Sequence, residues 1–532
     1  MPTPNVETSY RRRRLVLAVL CLSVLLVVMS NMALNVALPT LGRQLHAGAS
    51  SLAWVVDIYV LCFAGLLLPA GAVGDRFGRK GALQCGLVVY LAAALCAAYS
   101  TLAGELIAAR AVMGLGAALI MPGTLSILAT VFPPAERAQA IAVWASVAGG
   151  SVAVSITWSG AMLEHFWWGA IFLGTATVAA AALAAGWFLL PTSRHPDAAR
   201  FDPVGAALSV AGVAGLLYGF IQAPDDGWTA ARIMAAFAVG IAGLAAFVAW
   251  ERRHAHPLLD LGFFAERRFS FGGLSIAAAY FALFGMYFVL TQYLQLVRGY
   301  SPLVAGLYAL PAGLAQLAVA NLAKPLVGRY GFRPVLAAGL AASAAGLLVL
   351  AAGAAASPIW TVEVGLGLLG AGIGLTMPPA TGAIMSSLPP HKAGVGSAVN
   401  DLVRELGGAF GIGVLGSLTL SRYRSRLGTS PVLAHQPAQA ATEAKVGLAQ
   451  ALTSRGGPHS AAGLAARNAY SSGLGLAMVV GAIVVAAAAI VIYLALPASA
   501  RTAPPHVPSE PTAPPEPTAA GTAIQQSRAG RV

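Results

Sequence analysis

The sequence predicts an all-α polytopic membrane protein, and three observations support that prediction. Of its 532 residues, 58% are hydrophobic and 10% are charged, whereas soluble domains average about 45–50% apolar and about 25% charged residues. Apolar stretches of about 20 residues, the length that crosses a bilayer as a helix, recur along the whole chain. Basic residues concentrate at the ends of these stretches, where they set orientation in a membrane. A transmembrane barrel would instead show alternating strands of about ten residues.

Fourteen apolar stretches are long enough to be spans, and we number them in chain order. They lie at about residues 15–38, 52–74, 82–99, 104–130, 138–161, 168–190, 203–222, 231–250, 270–296, 303–325, 334–353, 359–385, 402–421 and 474–496. An even number of spans places both termini on one side of the membrane. That side holds 22 Lys and Arg residues and the other side nine, so the positive-inside rule predicts cytoplasmic termini in the plasma or inner membrane.

The two ends of the chain lie outside the predicted spans. Residues 1–14 contain four consecutive Arg, and the apolar stretch that follows is too long for a cleavable signal peptide, so we expect a cytoplasmic N-terminus. Residues 497–532 are rich in Pro, Ala and Thr, which predicts a disordered cytoplasmic tail. A long outer loop, 422–473, carries six of the nine outer cations and therefore conforms least to the positive-inside rule.

An internal repeat relates the two ends of the membrane region. Residues 115–122 resemble residues 371–378, the charged stretch 74–80 has a weaker counterpart at 328–333, and a basic residue precedes both span 5 and span 13. Chance similarity between Gly- and Ala-rich helices is the alternative. Related halves are how several secondary transporters build alternating access. The predicted parts are an N-terminal six-helix half at 15–190, two inserted helices at 203–250 and a C-terminal six-helix half at 270–496.

Residues 71–80 concentrate charge and glycine between spans 2 and 3. This pattern predicts a tight charged turn at which two helix ends approach closely, and an ordinary positive-inside loop is the alternative. We expect Asp75 to bond to cations or helix N-termini on the cytoplasmic side, such as those near Arg137. The candidate residues of this conformational gate are Gly71, Gly74, Asp75, Arg76, Gly78, Arg79 and Lys80.

Ionisable residues within spans are functional candidates, because a charge at the bilayer centre costs at least about 2.5–3.5 kcal/mol. Arg110 lies in span 4 and Asp57 in span 2, each about one to two turns from a span end. A carboxylate partly withdrawn from water, such as Asp57, can exchange a proton or attract a cation. Glu363, at the outer start of span 12, has a weaker claim. The alternatives are that Arg110 snorkels to the interface and that Asp57 faces water.

Several amide and phenol side chains fall at membrane depth. Individually such groups are more often hydrogen-bond partners between helices, but as a set they predict the wall of a central cavity. Aromatic faces in that wall suit hydrophobic or cationic substrates. The set consists of Asn31, Asn35, Gln292, Gln295, Gln316 and Asn321, together with Tyr59, Tyr280, Tyr287 and Tyr293.

Motifs spread over residues 15–425 carry a family resemblance. They are 71–80; Leu106, Arg110, Gly114 and Gly116 of span 4; 35–39; 54–59; 293–295; 306–311; and 394–408 with Arg404. On these motifs the chain resembles the major facilitator superfamily and, within it, the fourteen-helix drug:proton antiporter branch of the EmrB/QacA type. That resemblance implies the major facilitator fold, a gate role for 71–80 in the inward-closed state, and proton coupling through Arg110.

The sequence departs from that branch at two places. Span 1 usually carries an aspartate where this chain has Ser30. Span 5 usually carries glycine pairs with prolines, whereas residues 149–160 have Val152 and Ile156 in place of the prolines. These departures predict a weakened kink in span 5, and coupling that depends on Asp57 and Arg110 without a carboxylate in span 1.

The sequence therefore predicts a secondary active transporter that exports small hydrophobic or cationic compounds, driven by protons. An importer or uniporter, or a non-transporting sensor of the same fold, are the alternatives. The net charge of +13 comes from cations at span ends and is no signal for nucleic acid. The nine His and four Cys residues show no metal-ligand spacing beyond His254 and His256, so we expect no enzyme activity, metal or cofactor. The expected partners are the lipid bilayer, protons and a small-molecule substrate, with the protein as a monomer.

Overall fold

The computed structural model of this chain is helical wherever it has regular structure in the residues it describes. Those residues are 6–45, 49–191, 202–254, 257–353, 358–389, 392–434, 444–445, 447–453 and 460–496. The predicted C-terminal tail lies outside them, as does part of the long outer loop. This all-helical result agrees with the predicted fold class.

Fourteen helices of 20 residues or more make up most of the described chain. They are α1 (Val6–Gln44), α2 (Ala49–Phe77), α3 (Arg79–Ala98), α4 (Ala103–Val131), α5 (Pro134–His165), α6 (Ala170–Leu189), α7 (Pro203–Asp226), α8 (Ala231–Glu251), α9 (Arg267–Gln292), α10 (Leu310–Tyr330), α11 (Phe332–Gly353), α12 (Trp360–Ser386), α13 (Ala393–Gly428) and α14 (Ala461–Ala495). Short helical segments lie at Leu261–Ala265, Tyr293–Val297, Pro302–Leu307, Pro431–Ala434 and Leu448–Thr453.

Twelve of these helices are long and apolar enough to cross a membrane, among the described residues. A thirteenth is α5, whose segments Pro134–Val152 and Thr157–His165 are bent by 42° relative to one another. The fourteenth expected span corresponds to α13, which is 36 residues long but carries several charged residues in its first half. Length and composition therefore give twelve to thirteen spans where the sequence predicted fourteen.

The contacts between helices within α1–α6 recur between the corresponding helices of α9–α14. In the first group α1 packs on α5, α2 and α3 pack on α4, and α3 packs on α6. In the last group α9 packs on α13, α10 and α11 pack on α12, and α11 packs on α14. The two groups meet where α13 contacts α2 and α4, and where α5 contacts α10 and α12. The arrangement is two similar bundles that face one another, as the internal repeat would produce.

The helices α7 and α8 form a tight hairpin of their own. A Cβ on Gly215 would lie 2.7 Å from the backbone nitrogen of Gly240, so the two helix backbones are nearly in contact. Glycine permits this approach because it has no side chain. The hairpin packs through α7 against both α2 and α13, and so it touches both bundles.

The bend in α5 occurs without the prolines that the related branch places there. The hydroxyl groups of Ser151 and Ser155 each donate a hydrogen bond, 2.5 Å long, to the carbonyl oxygen four residues earlier. Such bonds compete with the helix's own backbone ladder and bend helices. α5 is thus bent in the region where these serine hydroxyls bond to its backbone, and the expectation of a weakened kink stays a prediction.

Candidate functional site

The last turn of α2 connects the two bundles through Asp75. Arg79 donates to Oδ1 of Asp75 from Nε at 2.9 Å, and its Nη2 lies 2.9 Å from the same oxygen. The backbone N–H groups of Gly394 and Val395 donate to Oδ1 and Oδ2 at 3.0 and 3.1 Å. These amides belong to the first turn of α13, where the helix dipole favours an anion. Asp75 therefore bonds to a helix N-terminus as expected, but to that of α13 and not to that of α5, where Arg137 lies.

Glycine allows α2 and α13 to approach closely beside this ion pair. A Cβ on Gly71 would lie 2.7 Å from the carbonyl oxygen of Gly394, which is closer than real side chains permit. The other gate candidates lie around the turn: Gly78 has a φ of 115°, and Lys80 donates to the carbonyl of Trp187 in α6 at 2.8 Å. At this end, which we call the α2–α3 end, the two bundles are in direct contact.

We expect Gly71→Ala to disturb this contact, since the new methyl group meets a backbone oxygen that cannot move aside alone. The transport rate should fall about tenfold, which corresponds to a change of about 1.4 kcal/mol in free energy. In a background without the native cysteines, Ser397→Cys places a thiol at a buried position of α13. This thiol should react faster with a maleimide in the Gly71→Ala variant than in the protein that keeps Gly71. The matched control is Gly81→Ala, because a Cβ there meets no atom within 4 Å. Equal labelling and transport in both variants would contradict the close contact.

Arg110 is completely buried within the first bundle. Its Nε donates to the carbonyl of Val55 and its Nη1 to the carbonyl of Ser30, both at 3.0 Å. The guanidinium lies over the ring of Tyr59, 4.1 Å from the centroid, and the Tyr59 hydroxyl donates to the carbonyl of Val27 at 2.9 Å. Such contacts hold a cation inside a membrane protein, and they place Arg110 away from the interface to which it might have snorkelled.

Arg110 has no acid partner in the part of the chain that the structure describes. Its Nη2 makes no hydrogen bond there, and Ser30 contributes only its carbonyl to Arg110, since its hydroxyl bonds to the Tyr90 hydroxyl. The site is thus a planar cation held by two carbonyls and an aromatic face.

A lysine cannot reproduce this geometry, because it lacks the planar fork that reaches two carbonyls while stacking on a ring. We expect Arg110→Lys to lower transport at least tenfold, since one hydrogen bond from a charged donor contributes about 1.5–3 kcal/mol. The measurement is initial efflux rate at equal amounts of folded protein. Retention of the normal rate would show that only the positive charge matters at this position.

Sequence reasoning missed a second charged cluster, on α13. Asp401, Arg404 and Glu405 are all buried, with exposed fractions of 0%, 2% and 4%. Arg404 lies 3.5 Å from Asp401 through Nη1, and its Nε and Nη2 donate to Oε1 of Glu405 at 3.3 Å. Asn400 donates to Oδ1 of Asp401 at 3.3 Å. The sequence reading counted Arg404 as a cytoplasmic cation at a span end, and the structure corrects this placement.

A signal for this cluster was present in the sequence. Three charged residues within five positions are unusual in a chain that is 10% charged. Their spacing, at i, i+3 and i+4, brings them together on a helix. They were missed because the predicted span began at residue 402, which made the charges look like the end of a span.

A small cavity joins the α13 cluster to the first bundle. Its volume is about 10 Å³, roughly the space of one water molecule. Glu405 and Arg404 line one side, and Asn31 of α1 and Phe63 of α2 line another. The remaining lining residues are Val27, Val28, Ala148, Tyr280 and Phe284. The cavity lies between the bundles and is too small to hold a drug-sized molecule.

Asp57 lies apart from that cavity. Its side chain is 8% exposed, and its Oδ2 accepts a hydrogen bond of 2.5 Å from Nε2 of Gln222 on α7. Nearby, the rings of Trp54 and Tyr218 lie 6.0 Å apart. The structure therefore places Asp57 at the contact between α2 and the inserted hairpin.

The other predicted site residues divide between the cavity, helix contacts and the surface. Asn31 and Tyr280 line the cavity. Gln316 is buried in the contact between α10 and α5, where it donates to the carbonyl of Ala145 at 3.1 Å. Tyr293 is buried beside Arg298, whose Nε donates to its hydroxyl at 2.9 Å.

The remaining candidates are more accessible. Asn321 and Glu363 are exposed, and Gln292 and Gln295 are half-buried. Tyr287 is buried, and its hydroxyl donates to the carbonyl of Ala309 at 3.3 Å. Asn35 lies in α1, but its side chain is outside what the structure describes. The predicted polar wall is thus only partly assembled in this structure.

Comparison with known proteins identifies the family. The model of the Major Facilitator Superfamily matches residues 20–412. The multidrug efflux pump LfrA of Mycolicibacterium smegmatis is 35% identical over 500 residues, covering 93% of this chain and 98% of LfrA. The puromycin resistance protein pur8 of Streptomyces alboniger is 34% identical over 428 residues, covering 78% of this chain and 84% of pur8.

Solved structures show the same fold at low sequence identity. The human organic anion transporter MFSD10 (TETRAN) superposes with a TM-score of 0.57 at 14% identity, covering 89% of this chain and 99% of that protein. The two matching bundles agree with the family model and with these relatives. The chain therefore belongs to the major facilitator superfamily of multi-pass membrane transporters.

Proposed function

We propose that this protein is a proton-driven exporter of small hydrophobic or cationic compounds, which works by alternating access between its two bundles. The observation that supports this most directly is the buried cluster of Asp401, Arg404 and Glu405 beside a cavity between the bundles. Buried acids in a transporter that lack enough cationic partners are candidates for binding and releasing protons.

The charges of this cluster do not balance when every group is ionised. Two carboxylates and one guanidinium leave a net charge of −1, and Oδ2 of Asp401 has no hydrogen-bond partner in the described part of the chain. A bare carboxylate oxygen is costly in a medium of low dielectric constant. Binding of one proton removes that charge, so the protonation state affects how easily the bundles close over the site.

The cavity walls suit a hydrophobic cation. The rings of Phe63, Tyr280 and Phe284 provide apolar and cation-attracting faces, and Glu405 provides a negative charge. A cationic substrate beside Glu405 would add a positive charge next to the α13 cluster, so it would compete with the proton that neutralises this cluster. The similarity to pumps named for multidrug efflux and puromycin resistance supports export as the direction.

We further assign the chain to the fourteen-helix EmrB/QacA-type branch. The support is that α13, the helix with too many charges to qualify by composition, packs on α2, α4, α7, α9 and α14 and so lies among spans. Its buried charged residues Asp401, Arg404 and Glu405 form ion pairs with one another inside the protein. In this proposal both termini are cytoplasmic, the α2–α3 end faces the cytoplasm, and a monomer works without a cofactor.

The test is transport in proteoliposomes with an imposed pH gradient. The glutamine in Glu405→Gln cannot ionise. We expect the pH gradient to accelerate transport by this variant at least about tenfold less than transport by the original protein, since a positioned proton-transfer group contributes at least this much to a rate. Export down a substrate gradient should persist. The matched control is Glu164→Gln, an exposed acid at the end of α5, which should behave as the original protein.

The same assay separates the alternatives. Full gradient-driven transport by Glu405→Gln would contradict the role of the cluster. Accumulation of substrate in the direction of proton flow would indicate an importer, and no flux of any of a panel of dye-like cations would indicate a sensor. In the same vesicles, Asp57→Asn with unchanged pH-driven transport would remove Asp57 from the coupling mechanism.

A further inference from the structure

An apolar groove lies between α9, α12 and α13, near the α2–α3 end. Its volume is about 160 Å³, whereas the cavity between the bundles measures about 10 Å³. The buried side chains of Phe269, Ile384 and Val399 form its floor. Phe264 and Leu274 form its rim and are 46% and 39% exposed. The groove therefore opens at the surface of the protein.

The walls of this groove are suited to hydrocarbon. Among the described residues that line it, only Ser270 has a polar side chain, and its hydroxyl donates to the carbonyl of Phe264 at 2.6 Å. An engineered cavity of about 150 Å³ with similar apolar walls stays dry and binds benzene. An occupant of the groove therefore gains from burying apolar surface and has no polar group of the walls left to bond.

The groove forms where α9 and α13 separate. A Cβ on Gly407 of α13 would overlap the carbonyl oxygen of Ala277, so the two helices touch there. One turn nearer the start of α9, a Cβ on Gly273 would lie 3.9 Å from Cγ2 of Val403, which is an ordinary contact. The lining residues of α9 run from Phe269 to Ala277, about 12 Å along the helix axis. This is close to the depth of one leaflet, about 15 Å.

Two cations adjoin the open end of the groove. Lys392, just before α13, has its Nζ 5.5 Å from the ring centroid of Phe263, and that ring lies 6.1 Å from the ring of Phe269 on the floor. Arg267 begins α9 and lies seven residues before Leu274, a spacing that places both on one face of a helix. Its Nη1 donates to the carbonyl of Ala495 at 3.3 Å, so its charge is not neutralised by an acid in that bond.

The net charge around this open end is positive. Residues 260–268 hold two arginines and two acids, Asp260 and Glu266, so Lys392 brings the sum to +1. Lipids that carry one phosphodiester and no compensating amine have a charge of −1. Basic residues beside transmembrane helices attract such headgroups.

We infer that this groove binds an anionic phospholipid, with one acyl chain between α9 and α13 and its phosphate beside Lys392 and Arg267. The apolar walls select the chain, and the two cations select the headgroup. The inference goes beyond the proposed function, because lipid binding is measured without transport and depends on neither proton coupling nor the direction of transport.

The first test measures lipid binding to the purified protein by native mass spectrometry. The probes are phosphatidylglycerol and phosphatidylcholine with the same acyl chains. Phosphatidylglycerol should bind at least about fivefold more tightly, and Lys392→Gln should remove about fivefold of its affinity, since a basic residue near a membrane surface contributes about 1 kcal/mol. Binding of phosphatidylcholine should not change in this variant.

The control for the charge is Arg329→Gln. Arg329 is an exposed cation at the end of α10 that also lies over an aromatic ring, 5.3 Å from the centroid of Tyr330. This variant should bind both lipids as the original protein does. Equal affinity of the original protein for the two lipids, or a preference for phosphatidylglycerol that Lys392→Gln retains in full, would overturn the inference.

The second test fills the groove with Gly273→Leu. Binding of both lipids should weaken about tenfold, the contribution of about two buried methylene groups. The matched control is Gly367→Leu in α12, where a Cβ meets no atom within 4 Å. Unchanged lipid binding in folded Gly273→Leu would show that the acyl chain lies elsewhere. Lys392→Gln changes a side chain near the surface, so it decides the inference even where Gly273→Leu does not fold.

Discussion

A charge inside a membrane protein must find its partners within the protein, and here those partners lie along the contact between α2 and α13. At one end Asp75 of α2 bonds to the first amides of α13. In the middle, the cavity between Phe63 and Glu405 joins the two helices. Farther along α2, Asp57 bonds to α7, which itself packs on α13. The contact between α2 and α13 is therefore one of the places where the two bundles are held together.

The same contact explains why the motion must involve whole helices. With glycine at positions 71 and 394, a backbone carbonyl takes the place where side chains would otherwise meet. Close-packed backbones do not deform gradually, because interiors have the density of organic crystals. The cavity, about 10 Å³ in volume, also has no room for a substrate. In the proposed mechanism, opening the site therefore requires the two bundles to move apart as bodies.

Periodic and local signals were enough to predict much of this molecule. Apolar length located the helices, and the repeat between residues 115–122 and 371–378 indicated the paired bundles. Glycine and charge in 71–80 predicted a close approach of helix ends with Asp75 bonded to a helix N-terminus, and the structure shows both. The partner of Asp57 could not be predicted, since Gln222 lies 165 positions away. The hydrogen bonds of Ser151 and Ser155 in α5 could not be predicted either, since only the structure shows which carbonyl a serine hydroxyl bonds.

The replacement of an aspartate by Ser30 shifts the charge balance from one bundle to both. In the branch that this chain resembles, the first span usually supplies a carboxylate at that position. Here Ser30 offers Arg110 only a carbonyl, so the guanidinium charge has no carboxylate within hydrogen-bond reach among the described residues. The α13 cluster has the opposite excess of one negative charge when ionised. The charges of Arg110, Asp401, Arg404 and Glu405 sum to zero only when both bundles are counted. In the proposed mechanism, a proton that binds on α13 would therefore change the attraction between the bundles, and no acid in α1 would be needed.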